Sequence, residues 1–350
     1  MAYSGINKSK SYFNTKLWTG TGSNGNAISG VGFAPDLVWV KNRSGTYDHV
    51  LFDRVRGDNK HVESNNNSAE ENEAYTLAFG SDGYSVGTNT LNKSTNNIVG
   101  WNWKANGAGS ANTDGSINST VSVNQTAGFS IVKYTGTGAN ATVGHGLGVA
   151  PAMIIVKNTQ NTYEWIIGHK DLNSNGTGFS TNYYFNGFNN SIRNQNASAS
   201  WNSTNPTNSV FSLHSGATYM NQNGESNVAY CFAEKTGYSK FGYYIGNFNN
   251  NGTFVYTGFK PEFVIVKKRD ATGNWRMFDS VRASNINPAT KWMNADSNAA
   301  EGTDVQADLV SNGFKLRDAA NAFNTDGQKY IYMAFGQSLV GSNNVPATAR

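Results

Sequence analysis

Apolar residues in this chain come in short runs, and no long helical period is present. Leu37 to Val40, Val50 to Phe52, Ile131 to Tyr134, Met153 to Val156, Phe263 to Val266 and Ile331 to Phe335 are continuous or alternating apolar runs. They are rich in Val, Ile, Tyr, Phe and Trp, which suit a pleated, half-buried surface. Turn signals separate them: Asp82-Gly83, Asp114-Gly115, Asn175-Gly176, Asn223-Gly224, Asn251-Gly252, Asn312-Gly313 and Asp326-Gly327. Asn-Gly and Asp-Gly tolerate the positive φ of type I′ turns, so each is a hairpin candidate. The pattern predicts an all-β, antiparallel protein.

One pattern is written three times. Trp18-Thr19-Gly20 leads to Pro35 and Leu37-Val38-Trp39-Val40-Lys41-Asn42. Tyr134-Thr135-Gly136 leads to Pro151 and Met153-Ile154-Ile155-Val156-Lys157-Asn158. Tyr244-Ile245-Gly246 leads to Pro261 and Phe263-Val264-Ile265-Val266-Lys267-Lys268. Each proline stands fifteen positions after its glycine, and the prolines are 116 and 110 apart. That period is domain-sized, longer than the common solenoid units. Each copy closes on an apolar run ending at Trp103, Phe232 or Phe335. The expected architecture is three tandem antiparallel β-sandwich repeats of jelly-roll type. The expected divisions are an N-terminal arm (1–14), repeat one (15–106), a linker with a crossing strand (107–127), repeat two (128–235), repeat three (236–338) and a C-terminal tail (339–350).

Composition narrows the function classes. Charged residues are 14%, aromatics 13%, and 38 of 350 residues are Gly. Disorder goes with few aromatics and high net charge, so this chain is expected to fold. The net charge is +4 with no Lys/Arg-rich run, which gives no support for nucleic-acid binding. Cys231, the single cysteine, lies in an apolar run and reads as a small buried hydrophobe. The first residues lack a charged segment followed by an apolar one, so no signal peptide is expected. No apolar stretch is long enough to predict membrane insertion.

Several positions invite chemistry. Asp53, His169 and Asp279 each stand eighteen residues after their proline, and Arg56 and Arg282 follow the two Asp at +3. A histidine at the middle position points to a structural slot, with each Asp capping a turn and pairing with its Arg. Asp171, Asn173 and Asn175 begin like a calcium loop, but the position for the bidentate Glu is Asn182, so no metal is expected. Glu70, Glu71 and Glu73 are the densest acids, without counterparts in the other copies, and read as a solvated loop. The chain has no Gly-x-Ser-x-Gly, no phosphate loop and no His-Glu-x-x-His, so no catalytic residue or cofactor is expected. The aromatics Trp165, Tyr183, Tyr184, Trp201 and Trp275 are the candidate glycan contacts, because exposed rings stack on sugar faces while Asn amides bond hydroxyls. The competing reading places them in the core.

Longer stretches carry a family resemblance. They include Gly32-Phe33-Ala34-Pro35-Asp36-Leu37-Val38-Trp39-Val40-Lys41-Asn42-Arg43, Thr113-Asp114-Gly115-Ser116-Ile117, and Gly144-His145-Gly146-Leu147-Gly148-Val149-Ala150-Pro151. Tyr230-Cys231-Phe232-Ala233-Glu234 and Tyr238-Ser239-Lys240-Phe241-Gly242 complete the set. From about Tyr12 to Phe335 the chain resembles repeat-bearing virion proteins of marine bacteriophages, of the tail-fibre or concanavalin A-like kind. The resemblance implies a non-enzymatic virion component (tail fibre, tail tip or capsid surface) made in the bacterial cytoplasm. It implies other virion proteins as partners, homo-oligomerisation, and contact with host surface glycans. The alternatives are an adhesin whose main role is glycan binding and, third, a glycan-degrading enzyme.

Overall fold

The computed structural model describes residues 5–6, 8–72, 75–173, 183–194, 198–320 and 322–338. Copy one contributes β1 (Phe13–Thr19), β2 (Asn26–Ser29), β3 (Leu37–Asn42), β4 (His49–Asp53), β5 (Lys60–Glu63), β6 (Glu71–Asn72), β7 (Leu77–Phe79), β8 (Gly83–Val86) and β9 (Asn97–Trp103). A hairpin follows, β10 (Ser110–Asn112) and β11 (Ser119–Asn124). Copy two holds β12 (Phe129–Thr135), β13 (Ala141–Gly144), β14 (Met153–Asn158), β15 (Ile166–His169) and β16 (Phe185–Asn186). It continues through α1 (Ser198–Trp201), β17 (Val210–Leu213), α2 (Thr218–Asn221) and β18 (Ser226–Phe232). Copy three holds β19 (Ser239–Ile245), β20 (Phe254–Tyr256), β21 (Phe259–Lys268), β22 (Trp275–Asp279) and β23 (Ala289–Asn294). It ends with β24 (Gly302–Val310), β25 (Gly313–Leu316) and β26 (Lys329–Ser338).

The strand order recurs. The large sheets contain β1-β9-β3-β4-β5, β12-β18-β14-β15-β16 and β19-β26-β21-β22-β23, all antiparallel. Smaller layers cover them: β2-β8-β7 in copy one and β13-β17 in copy two. In copy three the long β24 runs on into β25 and β20, so both layers belong to one sheet. Three turn dipeptides lie in hairpin connections: Asp82-Gly83 between β7 and β8, Asp114-Gly115 between β10 and β11, and Asn312-Gly313 between β24 and β25. Asn223-Gly224, Asn251-Gly252 and Asp326-Gly327 instead lead into a strand whose partner lies elsewhere in the chain, so turn chemistry there sets direction without setting pairing. Asn175-Gly176 lies outside the described residues.

The continuous apolar runs have a physical reason: both faces of each large sheet are covered. In β3, Val38 and Val40 face the private core of copy one, while Leu37 and Trp39 face a second core. In β14, Ile154 and Val156 face the private core of copy two, and Met153 and Ile155 the second one. In β21, Val264 and Val266 face the private core of copy three, and Phe263 and Ile265 the second one. That second core is common to all three copies. At its centre the rings of Trp103, Phe232 and Phe335 meet pairwise, with centroids 6.4, 5.9 and 5.7 Å apart. These are equivalent residues, the ends of β9 and β18 and the matching position of β26. The copies are therefore fused around one aromatic centre.

The arm and linker boundaries shift accordingly. Phe13 and Asn14 already belong to β1, and Phe13 stacks on Phe335 at 5.4 Å. The alternating stretch after Ile117 forms β11, which pairs with β12 and extends the sheet of copy two.

Candidate functional site

The polar positions repeated in the sequence meet at the three seams between copies. Tyr230 of copy two donates its hydroxyl to Asp53 Oδ2 of copy one at 2.8 Å. Trp101 of copy one donates its indole N–H to Asp279 Oδ2 of copy three at 3.1 Å. His169 of copy two donates from Nε2 to the Tyr332 carbonyl of copy three, 3.2 Å away. Residue Met333 stands on β26 where Trp101 and Tyr230 stand on β9 and β18. A thioether donates no hydrogen bond. An acid therefore occupies the slot where the neighbouring copy offers a donor, and a neutral imidazole where it offers Met. Burial, with Lys170 nearby, pushes His169 down to about 3, so the ring is neutral.

The Asp–Arg pairing expected from sequence is present in copies one and three. Asp53 Oδ1 accepts from the Arg56 amide at 2.9 Å, and Oδ2 meets the buried guanidinium. Asp279 accepts from the Arg282 amide at 2.8 Å and pairs with its guanidinium.

Two further contacts recur at every seam. The amides of Glu70, Arg193 and Glu301 donate to the carbonyls of Thr159, Arg269 and Arg43 in the adjacent copy, at 2.9, 3.2 and 3.1 Å. In the opposite sense, Lys157, Lys267 and Lys41 send Nζ to the carbonyls of Asn67, Ser191 and Asn298 at 3.1, 2.7 and 3.2 Å. All three lysines are buried, and burial lowers each to about 8. The contacts run in a closed cycle from copy one to two, two to three and three to one.

The glycan candidates fall on different sides of the surface. Trp165 and Trp275 are buried in the shared core and Trp201 in the private core of copy two, so their faces are closed to a ligand. Trp165 donates to the Glu63 carbonyl at 2.9 Å. The Arg193 guanidinium lies 3.6 Å over the ring of Tyr183, which leaves that face taken. Tyr184 lines a concavity.

That concavity, of about 360 Å³, is lined by Ile166, Tyr184, Ser200, Gly216, Ala217, Thr218, Tyr219 and Met220. It lies where β15, α1 and α2 meet in copy two. Ile166 and Met220 supply an apolar floor, and Ser200 bonds the Tyr184 hydroxyl. Tyr219 is exposed and leans on Tyr163, centroids 5.5 Å apart. The arrangement offers one exposed ring with hydroxyls beside it, the chemistry that packs against a sugar ring. Tyr219, Thr218 and Ser200 escaped the sequence reading because one-turn helices leave no periodic signal.

The calcium reading meets an obstacle. Arg269 Nη1 donates to the backbone carbonyls of Asp171 and Asn173 at 3.1 and 3.0 Å, which places a guanidinium charge against the start of the loop where a cation would have to bind. Asp171 itself pairs with Lys170, and Asn175 lies outside the described residues. Among the described residues no cluster of three His, Cys, Asp or Glu could hold a metal ion. Glu70 is bound by Arg56 and Lys60, Glu71 is exposed on β6, and Glu73 lies outside the described residues. Cys231 is a buried free thiol, as expected. No helix among the described residues is long and apolar enough to cross a membrane.

A family model described as a domain of unknown function (DUF7483) matches residues 8–338. The chain belongs to this family. The DUF7483 match takes in all three copies as one unit, in keeping with the shared core. No curated protein matches the sequence.

Proposed function

We propose that this DUF7483 protein is a non-enzymatic structural component of a bacteriophage virion, a tail-fibre, tail-tip or capsid-surface element. The closed cycle of seam contacts is the observation that carries this reading. Its acids, lysines and Asp/His slots serve cohesion between copies, which suits a part that bears load or displays a surface. The family resemblance of the repeat motifs supports the particle. Immunogold labelling of purified particles with antibody to this chain tests it. Label on the particle is expected, and its position distinguishes tail from capsid. Absence of label, with the chain missing from the particle's protein bands, refutes the reading.

A second reading, host-glycan contact, is favoured by the pocket of Tyr184 and Tyr219. Tyr219→Ala is expected to abolish binding to host-surface glycan on an array while leaving the melting curve unchanged. Equal binding by the variant refutes that use of the pocket.

A further inference from the structure

Copy three differs from its siblings on one surface. Tyr243, Ile245, Phe248, Phe254 and Tyr256 are between 45% and 58% exposed. They lie on two consecutive strands and the turn between them, and both β19 and β20 are ends of the sheet. The equivalent positions elsewhere are mostly small or polar. Tyr243 and Ile245 replace Lys133 and Thr135 of copy two, and Phe254 and Tyr256 replace Thr142 and Gly144. Edge strands in native proteins normally carry charge or cover, because their free amides and carbonyls invite pairing. Here the edge is apolar.

Phe248 adds an independent observation. Its φ is +47°, in the left-handed region. Copies one and two place Gly22 (φ +73°) and Gly138 (φ +66°) at the same position, with the same amide bond: Gly22, Gly138 and Phe248 donate to the carbonyls of Asn92, Asn221 and Asn324. A bulky residue there is strained, and such strain marks functional positions. The structure thus holds an exposed aromatic ring on a backbone built for glycine.

The molecule also shows what covers this edge. In copy two β11 lies along β12, bonded from Ser119 to Asn124. That strand comes from the long link between copies one and two. The link between copies two and three is a short turn at 235–238, too short to supply a strand, so among the described residues no strand lies along the outer side of β19. Along β19 the odd-numbered amides point away from β26. The Phe241 amide is capped by Glu234 Oε1 at 3.0 Å, whereas the Gly246 amide bonds Gln328 on the inner side.

We propose that β19 is a self-pairing edge, joining a second copy of this chain in antiparallel register about Tyr243. The five apolar side chains carry no charge, so the surface does not repel its own image, and a twofold pairing closes after two copies. Tyr243 faces its twin in a hydrogen-bonded pair, and the ladder is held to that pair by Glu234, which caps the Phe241 amide, and by the Thr253 hydroxyl, which donates to the Ile245 carbonyl at 2.6 Å.

Sedimentation velocity on the full chain, from about 1 to 100 µM, is the first test. A dimer is expected. The double variant Y243K/I245T imports the residues of copy two and is expected to be monomeric with an unchanged melting curve. F248G is expected to weaken the dimer about tenfold without lowering thermal stability, since glycine fits the turn. Tyr243→Cys is expected to give a disulfide-linked dimer on oxidation, because hydrogen-bonded antiparallel partners stand about 5.5 Å apart at Cα. Lys133→Cys, on the covered edge, is expected to stay unlinked. A monomeric wild type, a dimeric Y243K/I245T, or a dimer that the Tyr243→Cys variant fails to cross-link would each overturn the proposal. Binding of a glycan or another protein by a chain that remains monomeric would assign the surface to that partner and also overturn it.

Discussion

Asp53 and Arg56 give the sharpest test of the seam. Both side chains are buried, the carboxylate also accepts from Tyr230, and the guanidinium reaches the Leu51 carbonyl at 2.9 Å. Removing one partner of a buried ion pair leaves an uncompensated charge, at about 3–5 kcal/mol. Asp53→His and Arg56→Leu should each destabilise by that amount. Copy two already contains the neutral solution, His169 with Leu172 at the corresponding places. The double variant D53H/R56L should therefore cost less than about 2 kcal/mol, since replacing a buried pair by neutral groups is often near-neutral. The coupling energy against the sum of the singles would be at least about 4 kcal/mol. Urea unfolding followed by fluorescence of the eight tryptophans measures all four proteins. An Asp53→His change below about 1 kcal/mol, or a double variant as unstable as the two singles added, would refute the reasoning.

Three other outcomes follow from the same geometry. Lys157→Met leaves the Tyr163 and Asn67 carbonyls without their ammonium donor and should cost about 2–4 kcal/mol, while exposed Lys133→Met should stay within about 0.5 kcal/mol in the same urea assay. Phe188 touches Trp39, Trp165 and Trp275, one ring from each copy, at 5.6, 5.6 and 5.0 Å. Phe188→Ala should cost about 3–5 kcal/mol, and calorimetry should show the whole molecule melting at a lower temperature in one transition. His169 is held neutral, so between its ordinary value of 6.5 and about 3 the unfolded chain binds a proton that the folded chain does not. Stability should thus fall as pH drops through that window, and His169→Gln should reduce the slope by up to about 1.4 kcal/mol per pH unit; an unchanged slope would contradict a buried neutral ring.

The strands were legible because Leu37 to Val40, Met153 to Val156 and Phe263 to Val266 are buried on both faces, and such burial writes continuous apolar runs. The structural role of Asp53 and Asp279 was legible too, since a pair at i and i+3 is local. Their partners across the seams were not, because nothing local to Asp53 announces Tyr230. Trp165 and Trp275 occupy the slot held by His49 in copy one, and the buried His49 accepts from Trp39 at 3.0 Å. That shared slot was visible in the spacing from each proline, and would have favoured core over ligand. The pocket around Tyr219 was hidden because its walls come from three elements far apart in sequence.

The stacking of Phe13 on Phe335 joins β1 to β26. A ribosome making this chain releases β1 long before β26 exists, so the apolar inner faces of copies one and two must wait in water for their final neighbour. Folding dominated by such distant contacts is slow and exposes sticky surface meanwhile. The centre closes only once β26 has been made, so a chain cut short of β26 leaves these aromatic faces open to chaperones and proteases.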